Sequence, residues 1–294
     1  MSRWFFNERG ALRSGWKALG FMVLLAALGF LVALLAHAVK AVGGRLGGAA
    51  VGVWVGAALG ALASLICVRL EGLPFASLGF RPGRRWLGEA LAGILGGALL
   101  MLLTALVVKG LGGFHWERTA GIGTRQLLTG AWIFLGVAFN EEILARGYPF
   151  QRLTEGAGPW VGQLTFAALF ALLHWGNPGM HGATRAWATL NIGLAAILLG
   201  FCWLRTRSLA LPIGVHLGWN WTQGNLLGFG VSGTTDQAGA WTPVFHGRPE
   251  WLTGGAFGLE ASLPCALLCG AAILGLWLWR GTAASGDAST ASAS

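Results

Sequence analysis

Long apolar stretches recur along almost the whole chain, and they constrain its fold more than any other feature. A helix of about 20 residues, rising 1.5 Å per residue, crosses the ~30 Å hydrocarbon core of a bilayer. Stretches of about that length lie at residues 18–39, 48–68, 88–110, 127–147, 159–176, 186–204, 209–229 and 262–280. The sequence therefore predicts an all-α integral membrane protein, a bundle of about eight transmembrane helices in the lipid bilayer.

The composition agrees with a membrane protein and excludes several other classes. Only 11% of the residues are charged and 55% are hydrophobic, whereas an ordinary globular domain is about 25% charged. The net charge of +9 comes from lysines and arginines at the ends of apolar segments, so no nucleic-acid partner is expected. All four cysteines lie inside apolar segments, which argues against a disulfide framework or a thiolate zinc site.

The segments form one predicted domain with a short tail. Residues 1–280 are expected to be a single multi-pass membrane domain that retains its first apolar helix, and the Ala/Ser/Thr-rich residues 281–294 are expected to be disordered. With the N-terminus inside, the connections on that side carry more basic residues than those on the other. The positive-inside rule therefore predicts that both termini are cytoplasmic, in the plasma membrane, which in a bacterium is the inner membrane. No role is evident for residues 230–261.

Ionisable side chains inside a span mark function, because each costs at least ~2.5–3.5 kcal/mol to insert. The fourth span carries Glu141, Glu142 and Arg146. Glu142 and Arg146 are four residues apart on one helix face, so that they can pair. Glu141 is rotated by about 100° and is left without that partner. A structural ion pair would explain Glu142 and Arg146, but it does not explain Glu141.

Two further spans carry polar residues that could join Glu141. His174 lies in the fifth span, while His216 and Asn220 lie one turn apart on one face of the seventh. A lone histidine in a membrane helix is more often a packing residue. If spans four and five form a hairpin about residues 156–159, however, Glu141 and His174 both lie ~25 Å from that turn and can meet. We expect these four side chains to converge in a cavity open toward the cytoplasm.

Three motifs, each in a membrane span, resemble in their order the signature of the CPBP family, the CAAX protease and bacteriocin-processing (or Abi) proteins. They are Glu141-Glu142-xxx-Arg146, Phe170-xxx-His174 and His216-xxx-Asn220. Residues 204–213 and 77–80 also resemble segments of that family. The motif-bearing core runs from about residue 127 to 229.

The resemblance implies an intramembrane endopeptidase that hydrolyses a membrane-associated peptide or protein without a covalent enzyme intermediate. The resemblance also suggests that the substrates belong to bacteriocin processing or self-immunity. The implied roles are water activation by Glu141 and His174, oxyanion stabilisation by His216 and Asn220, and positioning of Glu141 by Glu142 and Arg146.

The need for a metal is left open by the sequence. Glu141, His174 and His216 match the three protein ligands that catalytic zinc prefers, so a single zinc ion is one possibility. The His-Glu-x-x-His helix of many zinc proteases is absent from the sequence. Metal-free catalysis by glutamate is the other possibility.

Two other function classes are also compatible with buried charges in a membrane bundle. A non-catalytic membrane scaffold or immunity protein would keep the fold, but it would not need every motif residue. A proton- or ion-coupled transporter is expected to show repeats in matching halves, and the sequence shows no such self-similarity.

Overall fold

A computed structural model of the chain describes residues 4–8, 10–41, 48–235 and 238–282. Most of these residues are helical, which confirms the predicted all-α membrane fold. The predicted disordered tail lies outside the described residues from position 283 onward. The helices are α1 (Ser14–Ala41), α2 (Ala49–Leu70), α3 (Arg84–Gly110), α4 (Thr124–Arg146), α5 (Tyr148–Ala157), α6 (Pro159–Leu173), α7 (Gly182–Thr206), α8 (Ala210–Trp221), α9 (Glu250–Thr253) and α10 (Leu263–Leu278).

Each predicted apolar stretch coincides with a helix, but the helices differ in length. Within the described residues, five are long and apolar enough to cross a membrane: Ser14–Ala38, Val51–Leu70, Arg84–Gly110, Thr124–Ala157 and Gly182–Thr206. Helices α6 and α10 are shorter and apolar. The stretch predicted at 209–229 is divided, because α8 ends at Trp221 and a π-helical turn follows at Thr222–Leu226.

One face of the bundle, which we call the terminal face, gathers the start of α1 and the ends of α2, α7 and α10. Lys17 near the start of α1 forms a salt bridge with Glu71 at the end of α2, with 3.1 Å between Nζ and Oε2. Arg205 near the end of α7 donates from Nε to the Leu276 carbonyl of α10 over 2.9 Å. Both ends of the described chain therefore lie at this face.

The opposite face, which we call the ribbon face, carries a two-stranded antiparallel ribbon. Strand β1 (Phe114–Arg118) pairs with β2 (Trp241–Phe245). Asn191, in the first half of α7, donates from Nδ2 to the Ser262 carbonyl just before α10 over 2.9 Å. Since α7 has 25 residues, it separates the two faces by ~37 Å.

Helices α3 and α8 pack backbone against backbone, and this packing places α8 in the centre of the bundle. A Cβ atom built on Gly97 would lie 2.1 Å from the Val215 carbonyl oxygen, and one on Gly218 would lie 2.1 Å from that of Ile94. Such contacts need glycine on both helices, since small residues let membrane helices approach closely. This close packing holds α8, the helix that carries His216, against its neighbours.

Helices α4 and α5 are separated by a break at Gly147. A Cβ atom at this position would lie 2.1 Å from the Ile143 carbonyl oxygen, so that only glycine fits the local backbone. Pro149 then stands in the first turn of α5, where its missing N–H costs little. The motif residues 141–146 therefore form the last turns of α4, in the interior of the bundle.

Candidate active site

A cavity of about 210 Å³ lies among α4, α6, α7 and α8, and it holds the predicted catalytic residues. Glu141, His174, His216 and Asn220 all line it. The side chain of Glu141 is 28% exposed and that of His216 is 9% exposed. The four side chains that the sequence distributes over three spans are thus brought to one place.

The adjacent Glu142 and Arg146 form a buried ion pair, as their spacing predicts. Arg146 donates from Nη1 to Glu142 Oε1 over 3.1 Å, and the two side chains are 1% and 0% exposed. Arg146 also donates from Nη2 to the Ala196 carbonyl over 2.8 Å, and its guanidinium lies 5.2 Å from the centre of the Phe170 ring. The pairing and these hydrogen bonds offset the cost of removing both charges from water.

His216 connects the ion pair to Glu141. Its Nδ1 lies 2.8 Å from Glu142 Oε1, while its Nε2 lies 3.7 Å from Glu141 Oε2. An ionised carboxylate can only accept, so that Nδ1 carries a proton and donates it to Glu142. The ring orientation is thereby fixed, and Nε2 faces the cavity beside Glu141.

His174 caps the end of α6, one residue beyond its last helical position. Its Nδ1 lies 2.7 Å from the Phe170 carbonyl oxygen. Because a carbonyl oxygen only accepts hydrogen bonds, Nδ1 is the protonated nitrogen, and in the neutral ring Nε2 has a free lone pair. This tautomer is the one that a general base in the cavity requires.

Asn220 lies one turn after His216 on α8 and is 7% exposed. Among the described residues, no protein group accepts a hydrogen bond from its side-chain amide. Burial of an amide favours a partner, and Asn220 faces the cavity. Its N–H groups are therefore available to a bound ligand.

A single zinc ion held by Glu141, His174 and His216 stays one of the two possibilities predicted from the sequence. In the described part of the chain, no three or more His, Cys, Asp or Glu side chains are grouped so that they could hold a metal ion. Glu141, His174 and His216 nevertheless share one cavity.

Sequence reasoning missed several polar residues that line the same cavity, chiefly Glu260 and Ser232, with Asn177 and Asn191 beside them. Glu260 and Ser232 belong to the connection 230–261, for which sequence analysis found no role. One signal was available for Glu260, since it is a lone carboxylate in an apolar stretch directly before the last span.

The cavity reaches the ribbon face. Asn177, Ser232, Thr234 and Glu260 lie on the connections of that face, and Thr234 is exposed. The two ends of the described chain, near Lys17 and Arg205, lie at the opposite face. If the ribbon face and the terminal face lie on opposite sides of the membrane, cytoplasmic termini and a cavity open to the cytoplasm are two expectations in conflict. The sequence could not reveal this conflict, because the cavity walls come from connections that are distant along the chain.

Comparison with known proteins supports the motif-based recognition. Residues 123–222 match the family described as type II CAAX prenyl endopeptidase, Rce1-like. Neither the curated proteins nor the solved structures gave a significant match. The matched segment contains every residue of the three motifs, from Glu141 to Asn220, and the long apolar helices identify a multi-pass membrane protein. Within residues 123–222, this chain carries a domain of the Rce1-like type II CAAX prenyl endopeptidase family, which confirms the family predicted from its motifs.

Proposed function

We propose that this protein is an intramembrane endopeptidase that hydrolyses a peptide bond with a water molecule activated by Glu141 and His174. The observation that carries the proposal is the shared cavity, which is lined by a partly exposed carboxylate, a histidine with a free Nε2 and an unengaged amide. A carboxylate base, a histidine that assists it and an oxyanion donor in one cavity are the groups that peptide hydrolysis needs.

The reaction consumes one water molecule. Glu141, assisted by His174, takes a proton from the water as its oxygen bonds to the carbonyl carbon of the substrate. The carbonyl π electrons move to oxygen and form an oxyanion. When the oxyanion collapses, the C–N bond breaks, and the departing nitrogen takes the proton held by the base. The products are a carboxylic acid and an amine.

Asn220 and His216 are the oxyanion donors of this proposal. The Asn220 amide donates directly, and His216 donates from Nε2 when its ring carries both protons. Glu142 supports that form because it accepts from Nδ1 over 2.8 Å. Preorganised donors of this kind contribute roughly 10²–10³-fold each to the rate.

Glu142 and Arg146 act through the catalytic groups. The ion pair at 3.1 Å fixes the last turns of α4, on which Glu141 also stands. Glu142 further holds the His216 ring. We therefore assign to this pair the positioning of Glu141 and His216.

The proposed substrate is a membrane-associated peptide or protein segment. The name of the matched family points to prenylated CAAX peptides as the first probe, and the CPBP resemblance adds bacteriocin processing or self-immunity as a biological context. The proposed location is the plasma membrane with both termini in the cytoplasm.

The test uses the full chain in cells and in lipid nanodiscs. Membranes carrying the wild-type protein or Glu141→Gln are compared by mass spectrometry of newly formed peptide termini, and the purified proteins are given a prenylated reporter peptide. Termini that appear only with the wild type support the endopeptidase. Identical termini in both membranes, together with an uncleaved reporter, would refute it.

A further inference from the structure

A buried glutamate lies in the cavity wall, on a segment that the three motifs do not include. Glu260 is 6% exposed and stands in the single turn Leu259–Ala261 before α10. Its Oε1 accepts a hydrogen bond from Trp219 Nε1 over 3.0 Å. Its Oε2 accepts from the Ser232 backbone N–H over 2.7 Å and from the Ser232 hydroxyl over 2.9 Å. One carboxylate thus receives three donors.

Both partners of Glu260 are part of the cavity. Trp219 lines it from α8, directly before Asn220 and three residues after His216. Ser232 lines it from the tight turn Val231–Thr234, whose two ends pair as an isolated β-bridge. Glu260 therefore joins the helix that carries the oxyanion donors to a loop of the ribbon face.

The turn is held from a second side and has a strained backbone. Asn177, three residues after His174, donates from Nδ2 to the Ser232 carbonyl over 2.8 Å. Ser232 has a positive φ of 48°, a conformation that non-glycine residues rarely adopt. Such a conformation persists only where the surroundings determine it, and here Glu260 and Asn177 do so.

We propose that Glu260 is a positioning residue for substrate binding, which holds the Val231–Thr234 turn and the Trp219 indole together as one wall of the peptide-binding cavity. The inference rests on the proposed function, because it assigns that cavity to a peptide. The wall binds an extended substrate segment beside Glu141, and its own polar groups are occupied by Glu260 and Asn177. The connection 230–261, for which the sequence suggested no role, thereby becomes part of the substrate site.

The charge of Glu260 matters to this arrangement. Burial raises the pKa of its carboxyl group, whereas the hydrogen bonds from Ser232 oppose that rise. The ionised form accepts from all three donors at once. Glutamine has a similar shape but only one acceptor atom, and its NH₂ group would face a donor of Trp219 or Ser232. Glu260→Gln therefore loosens the wall without leaving a cavity.

The first measurement is independent of catalysis. Hydrogen exchange of the full chain in nanodiscs is followed for the peptide covering residues 231–235, in the wild type and in Glu260→Gln. We expect exchange to be about 10-fold faster in the variant, because the Ser232 N–H loses its acceptor. Glu250→Gln is the matched control, since Glu250 lies on the same face, accepts from Thr184 and is not part of the cavity wall.

The second measurement asks whether the wall binds substrate. Binding of the prenylated reporter peptide is compared between Glu141→Gln and the double variant Glu141→Gln/Glu260→Gln, so that no turnover is needed. We expect Kd to rise about 10-fold. With Glu141 intact, we expect Glu260→Gln to raise KM by a similar factor and to change kcat by less than about 3-fold. Ser232→Ala is a milder second variant, and its effect on KM should not add to that of Glu260→Gln.

The outcomes separate this inference from the proposed function. Faster exchange with unchanged Kd and KM would overturn the inference, because the turn would then be only structural. Unchanged exchange would overturn it as well. If the wild type binds the reporter without cleaving it, the endopeptidase proposal fails for that substrate, whereas a weaker Kd in the double variant still supports Glu260 as a determinant of binding.

Discussion

His216 lies between two adjacent glutamates of α4, with Nδ1 2.8 Å from Glu142 Oε1 and Nε2 3.7 Å from Glu141 Oε2. The neighbouring carboxylates thus contact opposite nitrogens of one imidazole ring. Glu142 is fully buried and also pairs with Arg146, whereas Glu141 is partly exposed to the cavity. From this difference we infer a positioning role for Glu142 and proton exchange with water for Glu141.

Glu141→Gln is expected to abolish proteolysis and leave the protein folded and inserted. The amide keeps the shape but cannot take a proton, and loss of a general base lowers kcat by roughly 10²–10⁴-fold. Cleavage of the reporter and the Tm in detergent measure the two effects. Glu155→Gln is the control, because Glu155 is a half-exposed carboxylate on α5 outside the cavity wall. Full activity of Glu141→Gln would remove Glu141 from the mechanism.

Glu142→Gln is expected to lower stability as well as activity. It removes the charge partner of Arg146, which is 1% exposed, and breaking a buried pair typically costs about 3–5 kcal/mol. Thermal unfolding of the purified protein should therefore shift to a lower temperature. If Glu142→Gln lost activity with an unchanged Tm while Glu141→Gln kept full activity, Glu142 rather than Glu141 would be the catalytic carboxylate.

His216→Ala and Asn220→Ala are each expected to slow turnover by roughly 10²–10³-fold, the loss typical of one oxyanion donor. The effect should fall on kcat, because the donors act on charge that develops in the transition state. Steady-state kinetics with the reporter peptide measure it. His181→Ala is the control, since His181 is exposed at the start of α7. A rise in KM alone would assign these residues to substrate binding instead.

Gly97→Ala is expected to destabilise the bundle, while Gly96→Ala is not. A Cβ atom at Gly97 would lie 2.1 Å from the Val215 carbonyl oxygen, whereas nothing lies within 4 Å of one at Gly96. Overpacking of this kind costs about 1–3 kcal/mol. Thermal unfolding in detergent compares the two neighbours on α3. Equal Tm values would contradict the close contact between α3 and α8.

The cavity mouth and the termini are expected to lie on opposite sides of the membrane. A cysteine at exposed Thr234 reports on the ribbon face, and one at exposed Arg280 reports on the terminal face. The four native cysteines are buried, so that they give little background. In intact cells, a membrane-impermeant maleimide should label only one of the two cysteine variants. The other variant should be labelled only after the membrane has been permeabilised. The positive-inside rule selects Thr234 as the externally labelled position. Labelling of both from one side would contradict the two-face arrangement.

The sequence by itself determined the membrane fold, the positions of the helices and the motif residues. These features follow local rules: a span needs about 20 apolar residues, and residues four apart on a helix share a face. The pairing of Glu142 with Arg146 could therefore be predicted from spacing alone. The division at Trp221 could not, because a π-helical turn depends on packing around the helix.

Only the tertiary structure decided how these elements meet. The contact of His216 with Glu142 joins residues 74 positions apart, and that of Glu260 with Trp219 joins residues 41 apart. No periodicity in the sequence encodes such distances. Packing also decided that the cavity reaches the ribbon face, since its walls include connections whose places depend on every helix between them. The sequence identified the chemical groups, and the packing of glycine faces and buried charges placed them around one cavity.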